Sequence, residues 1–488
     1  MTDTHSLPIP DNDTAGSLDE RVSDQLSLLN YPPANWVPEK TLASGEKVVD
    51  VTIIGAGQCG LAAAFSLKRK GIANIRILEC HPEGIDGPWL NFARMETLRS
   101  PTHLLGPACD IPSLTFQAWY RYHYGFDAFA NMERIPRPQW QTYLEWYRQV
   151  LDLRVEFETL VTHIAPENDR LRVSIDSPDG HDHESFATRK VVLATGMSGL
   201  GTVHVPGFLG HLSKYWWAHS SDDIDFNALK GKRVVVVGMG SSAMDNAAEA
   251  LEHGAQEVHL LARRQTMPTI NKLMGIGSPG FIDGYPELSP DWRWRIMTYA
   301  ADAQVPPPHG STLRVSRHDN AFFHFNAAIE SVDETAEGLS ITTASGKCYE
   351  ADFIIAATGF KTDVTVPSEL SELSPSIALW KDRYTPPKGL ENDALLSSPW
   401  LGKGFQFIER EEGELPALRN VHAFNAAASL SLGKVSGDIP SVSVGASWLA
   451  RSIASDLYND DIEEHWQALL DYSRPELDGS EWSDADSS

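Results

Sequence analysis

A chain of 488 residues, 42% of them hydrophobic, can bury a core in each of two or three domains. Its 40 Lys and Arg against 66 Asp and Glu leave a formal charge of -26, a field that repels nucleic acid and anionic membranes, so any anionic ligand must be held by local donors. The four cysteines, Cys59, Cys80, Cys109 and Cys348, form no C-x-x-C and no zinc or secreted-disulfide spacing, which predicts no metal site and a reducing, cytoplasmic setting. The acidic opening MTDTHSLPIPDNDTAGSLDE is no signal peptide, and no apolar run approaches the ~20 residues of a membrane span, so neither export nor a membrane partner is expected.

Residues 1–46 are polar, carry the Pro-rich patch YPPANWVPEK and show no sustained period; they read as an arm that packs at most through Trp36. Then comes VVDVTIIGAGQCGLAAAFSLKRKGIANIRILE, a buried strand, a Gly-rich turn, an Ala-rich helix ending near Gly71 and a second strand. Gly55, Gly57 and Gly60, with Ala56 and Cys59 between them, make G-x-G-x-x-G at the strand-to-helix turn. Gly55 permits the turn, Gly57 lets a pyrophosphate approach, Gly60 lets helix and strand close, and the free N–H groups at the helix start face the phosphates. Glu79 stands 24 residues after Gly55, at the second strand's end, where a carboxylate accepts from ribose hydroxyls. A Gly-rich turn without ligand is the alternative, and the flanking strand, helix and acid weigh against it.

Trp140, Tyr143, Leu144, Tyr147 and Leu151 repeat at three and four after Pro138, the buried face of an amphipathic helix. By contrast, TFQAWYRYHYGFDAF (115–129) lacks a clean period and reads as a loop over a pocket. KVVLATG (190–196) and DFIIAATGF (352–360) are apolar strands ending in Thr-Gly, and they bracket a second βαβ opening, KRVVVVGMGSSAMDNAAEALEHGAQEVHLLARR. Here Gly238, Gly240 and Ala243 repeat the fingerprint. The position equivalent to Glu79 is Ala262, followed by Arg263 and Arg264; guanidinium groups there can hold a 2′-phosphate, which favours NADPH over NADH. A solvated arginine pair is the alternative. His318 and His324 lack metal-ligand spacing and read as structural.

The predicted fold is α/β with two Rossmann-like dinucleotide-binding domains, the second inserted in the first. Residues 1–46 form the arm, 47–205 the first part of the first domain, 206–335 the inserted domain, 336–458 the second part of the first domain, and 459–488 an acidic tail.

The order GAGQCG, Glu79, GPW (87–89), LATG, GMGSSA, the arginine pair and AATGF resembles the class B flavin monooxygenases, which include flavin-containing, Baeyer-Villiger and N-hydroxylating enzymes; it spans about residues 47–455. The resemblance implies FAD on the first fingerprint and NADPH on the second, with Ser241 and Ser242 at the second helix start, so that the NADPH domain (206–335) is inserted in the FAD domain (47–205 and 336–458). It implies Trp89 near the flavin, backbone at Val161 meeting the adenine, and the Thr-Gly ends (Thr195, Gly196 and Gly359) at the links between domains. Asp438 and Ser441 would lie at the late helix facing the flavin pyrimidine. Residues 98–113, with Ser100, His103 and Asp110, would run beside the ring, an ordinary turn being the alternative there.

Two departures stand out. Asp86-Gly87-Pro88-Trp89 replaces Gly-Gly-Thr-Trp. The signature F-x-G-x-x-x-H begins at Phe208-Leu-Gly210 but has Lys214 in place of its histidine, with His219 five residues late, which argues against ester formation from ketones. The implied reaction is transfer of one oxygen atom of O2 to a small organic substrate through a flavin C4a-hydroperoxide, with catalytic side chains and oligomeric state left open. An NADPH oxidase, an NADPH:acceptor reductase and a non-catalytic nucleotide sensor are the alternatives; a thioredoxin-reductase-type reaction lacks its cysteine pair.

Overall fold

The computed structural model describes residues 16–177, 180, 183–483 and 485–486. Its first sheet is nucleated by β1 (Val49–Ile54), whose Val51 and Ile53 are fully buried. β1 pairs in parallel with β2 (Ile75–Leu78) on one side and β6 (His183–Leu193) on the other; β3 (Val155–Glu156) extends the β2 edge, and β17 (Val421–His422) pairs in parallel with β6. β6 is long enough to serve two partners: residues 188–193 join the parallel half, and its first half pairs antiparallel with β5 (Arg170–Asp176), itself paired to β4 (Leu160–Glu167). Helix Gln58–Lys68 packs between this sheet and helix Val442–Asp460. Ala62, Ala63 and Ala64 are fully buried there, because small side chains let the layers approach closely.

The second sheet has the order β11 (Ala321–His324), β10 (Glu257–Leu261), β9 (Arg233–Val237), β15 (Phe353–Ala356), β8 (Trp217–His219), with every pairing parallel. Helix Ser241–Glu252 packs on it and against helix His309–Ser316. β12 (Ile329–Thr335), β13 (Gly338–Thr343) and β14 (Cys348–Ala351) form an antiparallel meander. The two crossings between the sheets run side by side, β7 (Gly201–Val203) pairing antiparallel with β16 (Phe360–Thr362). A Cβ at Gly201 would lie 1.9 Å from the Lys361 carbonyl oxygen, so this zipper requires glycine.

Several expectations need correction. The return to the first unit was placed near 335, but β15 sits beside β9 in the second sheet, so the chain leaves that sheet only after 356. A four-residue apolar strand can enter either sheet, and pairing decides which. The arm is not structureless: helix Leu18–Leu28 begins with a Ser17/Glu20 capping box and buries Leu18, Val22 and Leu26, a stripe one residue wide. Residues 1–15 of the arm lie outside the described residues. The tail expected from 459 contains helix Ile462–Asp471.

Residues 115–129 are not a loop. Thr115 caps helix Phe116–Tyr124, Gly125 at φ +89° breaks it, and helix Phe126–Ala130 follows. Phe116 packs on Trp140 and Tyr143, so tertiary aromatic contacts hold a helix whose own period is unclear. The helix after Pro138 starts at Arg137 and buries Trp140, Tyr143, Leu144 and Tyr147 as expected. His324 stacks on His259, their ring nitrogens 2.9 Å apart. No helix among the described residues is long and apolar enough to cross a membrane.

Candidate active site

Gly55 has φ +101°, a conformation that excludes other residues, and a Cβ there would stand 2.6 Å from the Ala194 carbonyl oxygen. Gly60 touches Gly55 itself: its Cβ would lie 1.9 Å from the Gly55 oxygen. Gly57 faces Gly87, and a Cβ on either would come to 3.8 Å from the Cα of the other, filling the groove between them. Gly57 caps helix Gln58–Lys68 with no side-chain hydrogen bond, which leaves first-turn N–H groups open to a ligand. Two buried polar atoms beside this groove, Gln58 Oε1 and Trp89 Nε1, have no partner among the described residues. A groove that a methyl group would fill, with an acceptor and a donor left over, fits a dinucleotide.

Glu79 is 5% exposed. Its Oε2 accepts from the Ala56 N–H at 2.9 Å, and its Oε1 accepts from the His81 N–H at 3.0 Å with His81 Nδ1 at 2.8 Å. The sequence reading missed His81, which orients the carboxylate; its position two residues after Glu79 was the available signal. Glu79, Cys80 and His81 are also the grouping among the described residues whose ligand atoms are close enough for a metal, but Glu79 is already turned toward the fingerprint. The strand entry at 158–161 runs alongside, Thr159 N–H donating to the Glu79 carbonyl at 2.8 Å, with Val161 buried.

Cys59 is buried, and its thiol donates to the Ser436 carbonyl at 3.2 Å. Burial, and then the charge of Asp438, push its pKa up to about 12. Cys109 is held up by burial as well, so neither thiol is poised as a thiolate. Ser443 Oγ accepts from the Cys109 N–H at 3.0 Å and donates to the Gly106 carbonyl, stitching the 98–113 stretch to the first turn of helix Val442–Asp460. Cys109 and Asp110 both have positive φ, 48° and 65°, so Asp110 belongs to a tight turn, while His103 is exposed. Asp438 is exposed with Lys434 3.6 Å away, and Ser441 is buried just before the helix. Asn425, also missed, donates to Thr195 Oγ1 at 3.3 Å and to the Leu193 carbonyl at 3.1 Å, fixing the Thr195–Gly196 turn.

The second fingerprint repeats the pattern. Gly238 has φ +127°, Gly240 caps helix Ser241–Glu252 without a side-chain bond, and Ala243 is fully buried. Ser241 and Ser242 open the helix at its solvent-facing end. The arginines then divide. Arg264 is partly buried and donates to the Asp302 carbonyl at 2.7 Å, whereas Arg263 is exposed, with no ion pair among the described residues. Gly359, at φ +79°, accepts from the His204 N–H at 2.8 Å and lies 3.1 Å from His219 Nε2; burial depresses the pKa of that imidazole. His219 is thus tied to the domain crossing.

The pyridine nucleotide-disulphide oxidoreductase family matches residues 52–274. An FAD-dependent urate hydroxylase of Xanthomonas campestris pv. campestris is 33% identical over 467 residues, 95% of this chain and 97% of its own length. Among solved structures, an ornithine hydroxylase of Pseudomonas aeruginosa has a TM-score of 0.66 at 18% identity, covering 84% of this chain and 100% of its own. The L-lysine 6-monooxygenase of Pseudomonas syringae gives 0.62 at 22%, over 84% and 99%. Two Gly-rich helix starts without side-chain caps, a buried acid beside the first, and a relative that aligns along nearly the whole chain lead to one conclusion: the chain belongs to the class B flavin-dependent monooxygenases.

Proposed function

We propose that the protein is an FAD-dependent, NADPH-consuming monooxygenase that inserts one oxygen atom of O2 into a small planar heterocycle, with urate the first substrate to try. It has two Rossmann-like units, and the NADPH unit is inserted in the FAD unit. The observation that carries the reading is the asymmetry of the two helix starts: the first ends on the buried carboxylate Glu79, the second on the exposed Arg263. FAD, when bound, would supply the redox and oxygen-transfer chemistry, with NADPH as the reductant. The chain's own groups do the rest.

Gly55, Ala56, Gly57, Cys59 and Gly60 cradle the FAD pyrophosphate, Glu79 holds the ribose, the Val161 backbone meets the adenine, Trp89, Asp438 and Ser441 border the flavin, and Thr195 and Gly196 lie at the first crossing. Gly238, Gly240, Ser241, Ser242, Ala243, Arg263 and Arg264 receive NADPH, with Gly359 at the crossing. The buried, protonated Cys59 and Cys109 offer no dithiol to which electrons could be diverted. The urate suggestion rests on the relative that aligns over 97% of its own length.

The test is anaerobic reduction by NADPH, then mixing with 18O2 and urate, followed by mass spectrometry of the product. Incorporation of one labelled atom is expected. Stoichiometric peroxide with every substrate tried would make the protein an oxidase, and no reduction at all would make it a nucleotide sensor.

A further inference from the structure

Some arginines are paired with a carboxylate, as Arg76 is with Glu156 and Glu184, Arg189 with Asp461, and Arg314 with Glu249 and Glu252. Others, such as Arg69, Arg94, Arg137 and Arg293, spend their N–H groups on backbone carbonyls. Arg99 and Arg134 belong to this second set, and they stand opposite each other. The Leu98 N–H donates to the Ile135 carbonyl at 2.7 Å, and Thr97 bridges Pro136 in an antiparallel sense, so Arg99 and Arg134 face each other across a short two-stranded contact. Both are exposed, and neither forms an ion pair among the described residues. Arg134 spends one N–H on the Arg99 carbonyl at 2.6 Å, and Arg99 spends one on the Pro306 carbonyl at 2.8 Å. Like charges placed opposite each other repel, and no ion pair among the described residues offsets this juxtaposition.

Their position supplies the reason. Pro306 precedes helix His309–Ser316, which packs on helix Ser241–Glu252 behind the second fingerprint. Arg99 therefore spans the seam between the two units. The charge of Asp438 acts on Arg99 from beyond ion-pair distance, and Asp438 stands just before the helix whose first turn is stitched to residues 106–109. The pair thus stands at the seam, near the residue that the proposed reading sets beside the flavin. The anionic parts of a pyridine nucleotide have other partners: the helix start at Gly240 for the pyrophosphate and Arg263 for the 2′-phosphate.

Resting on the urate reading, we propose that Arg99 and Arg134 together bind the negative charge of a planar anionic substrate. Guanidinium planes present parallel N–H donors and stack on flat π-systems, which suits an oxopurine acidic enough to be a monoanion at neutral pH. Such a pair also draws an anion toward a chain whose net charge would otherwise repel it.

The test uses the full-length, FAD-loaded protein. Urate and caffeine, an uncharged methylated purine, are titrated while the flavin absorbance is followed, in the unaltered protein and in Arg99→Gln, Arg134→Gln and the double variant. Losing one charge-assisted contact should raise the urate Kd about tenfold and leave caffeine unchanged. The KM for NADPH should stay within about twofold and the flavin spectrum should be retained. Arg99→Lys, which keeps the charge, should recover part of the affinity. An unmoved urate Kd, or an NADPH KM that rises by the same factor, would overturn the proposal. Should the unaltered protein ignore urate, benzoate and benzamide replace it: a preference for the anion that the variants lose upholds the pair and rejects urate, and no preference rejects the pair. Urate that binds but is never oxygenated rejects the urate reading alone.

Discussion

The arginine that distinguishes NADPH from NADH should be Arg263, and the structure says why its neighbour will behave differently. Arg263 is exposed with no ion pair among the described residues, so Arg263→Ala removes nothing that holds the fold. Its guanidinium is free to meet a 2′-phosphate, and a hydrogen bond to a charged group contributes about 1.5 to 3 kcal/mol, so the KM for NADPH should rise roughly ten- to a hundredfold. NADH lacks the phosphate and should be used as before. Arg264 donates to the Asp302 carbonyl at 2.7 Å, at the end of helix Pro290–Ala303. Arg264→Ala should therefore lower the melting temperature as well, by an amount corresponding to about 1 kcal/mol, and weaken NADPH less. Anaerobic flavin reduction with each nucleotide, beside thermal unfolding of each variant, separates these effects. Equal weakening of NADPH and NADH in Arg263→Ala would refute the 2′-phosphate role.

Three further perturbations follow from the same geometry. Gly60→Ala places a methyl 1.9 Å from the Gly55 oxygen, so the helix must move off the strand; flavin-free protein, destabilised by about 3 kcal/mol in urea unfolding, is expected. Arg189→Ala removes two bonds, at 2.7 and 2.9 Å, to Asp461, 1% exposed, and leaves that carboxylate with Lys40 at 2.8 Å as its ion-pair partner; a loss of about 2 to 3 kcal/mol in the same assay should leave the NADPH KM unchanged. Asp50 is 3% exposed, and burial raises its pKa from 3.8 to about 6. A raised carboxyl pKa means that the folded state binds the proton more tightly, so the group opposes folding above pH 6 and the opposition fades as pH falls toward 4. Asp50→Asn should stabilise the protein by about 3 kcal/mol at pH 8 and about half as much at pH 5, and an equal gain at both pH values would show that charge is not the cause.

The two fingerprints were legible because their demands are local. A positive φ at Gly55 and Gly238, and the contact of Gly60 with Gly55 four peptide planes away, are set within one turn, so spacing alone reveals them. The helix Arg137–Val150 was equally legible, since its apolar face repeats over four turns. Helix Leu18–Leu28 was not: Leu18, Val22 and Leu26 give one apolar residue per turn, too thin a stripe to stand out among polar neighbours. The aromatic stretch at 115–129 failed for the opposite reason, because rings on several sides obscure the period that packing against Trp140 and Tyr143 selects.

By itself the sequence determined the strand-turn-helix cradles, the acid at Glu79, the arginines at 263 and 264, and the lack of a dithiol motif, all properties of neighbouring residues or fixed short spacings. The tertiary structure decided what depends on contacts between distant segments: that β15 pairs with β9 and not with the first sheet, that His81 and Asn425 brace the site, that Arg264 is anchored while Arg263 is free, and that Arg99 and Arg134 meet without a counter-ion. Such pairings carry no periodic signal, because they arise only when segments tens or hundreds of residues apart compete for one partner and packing chooses among them.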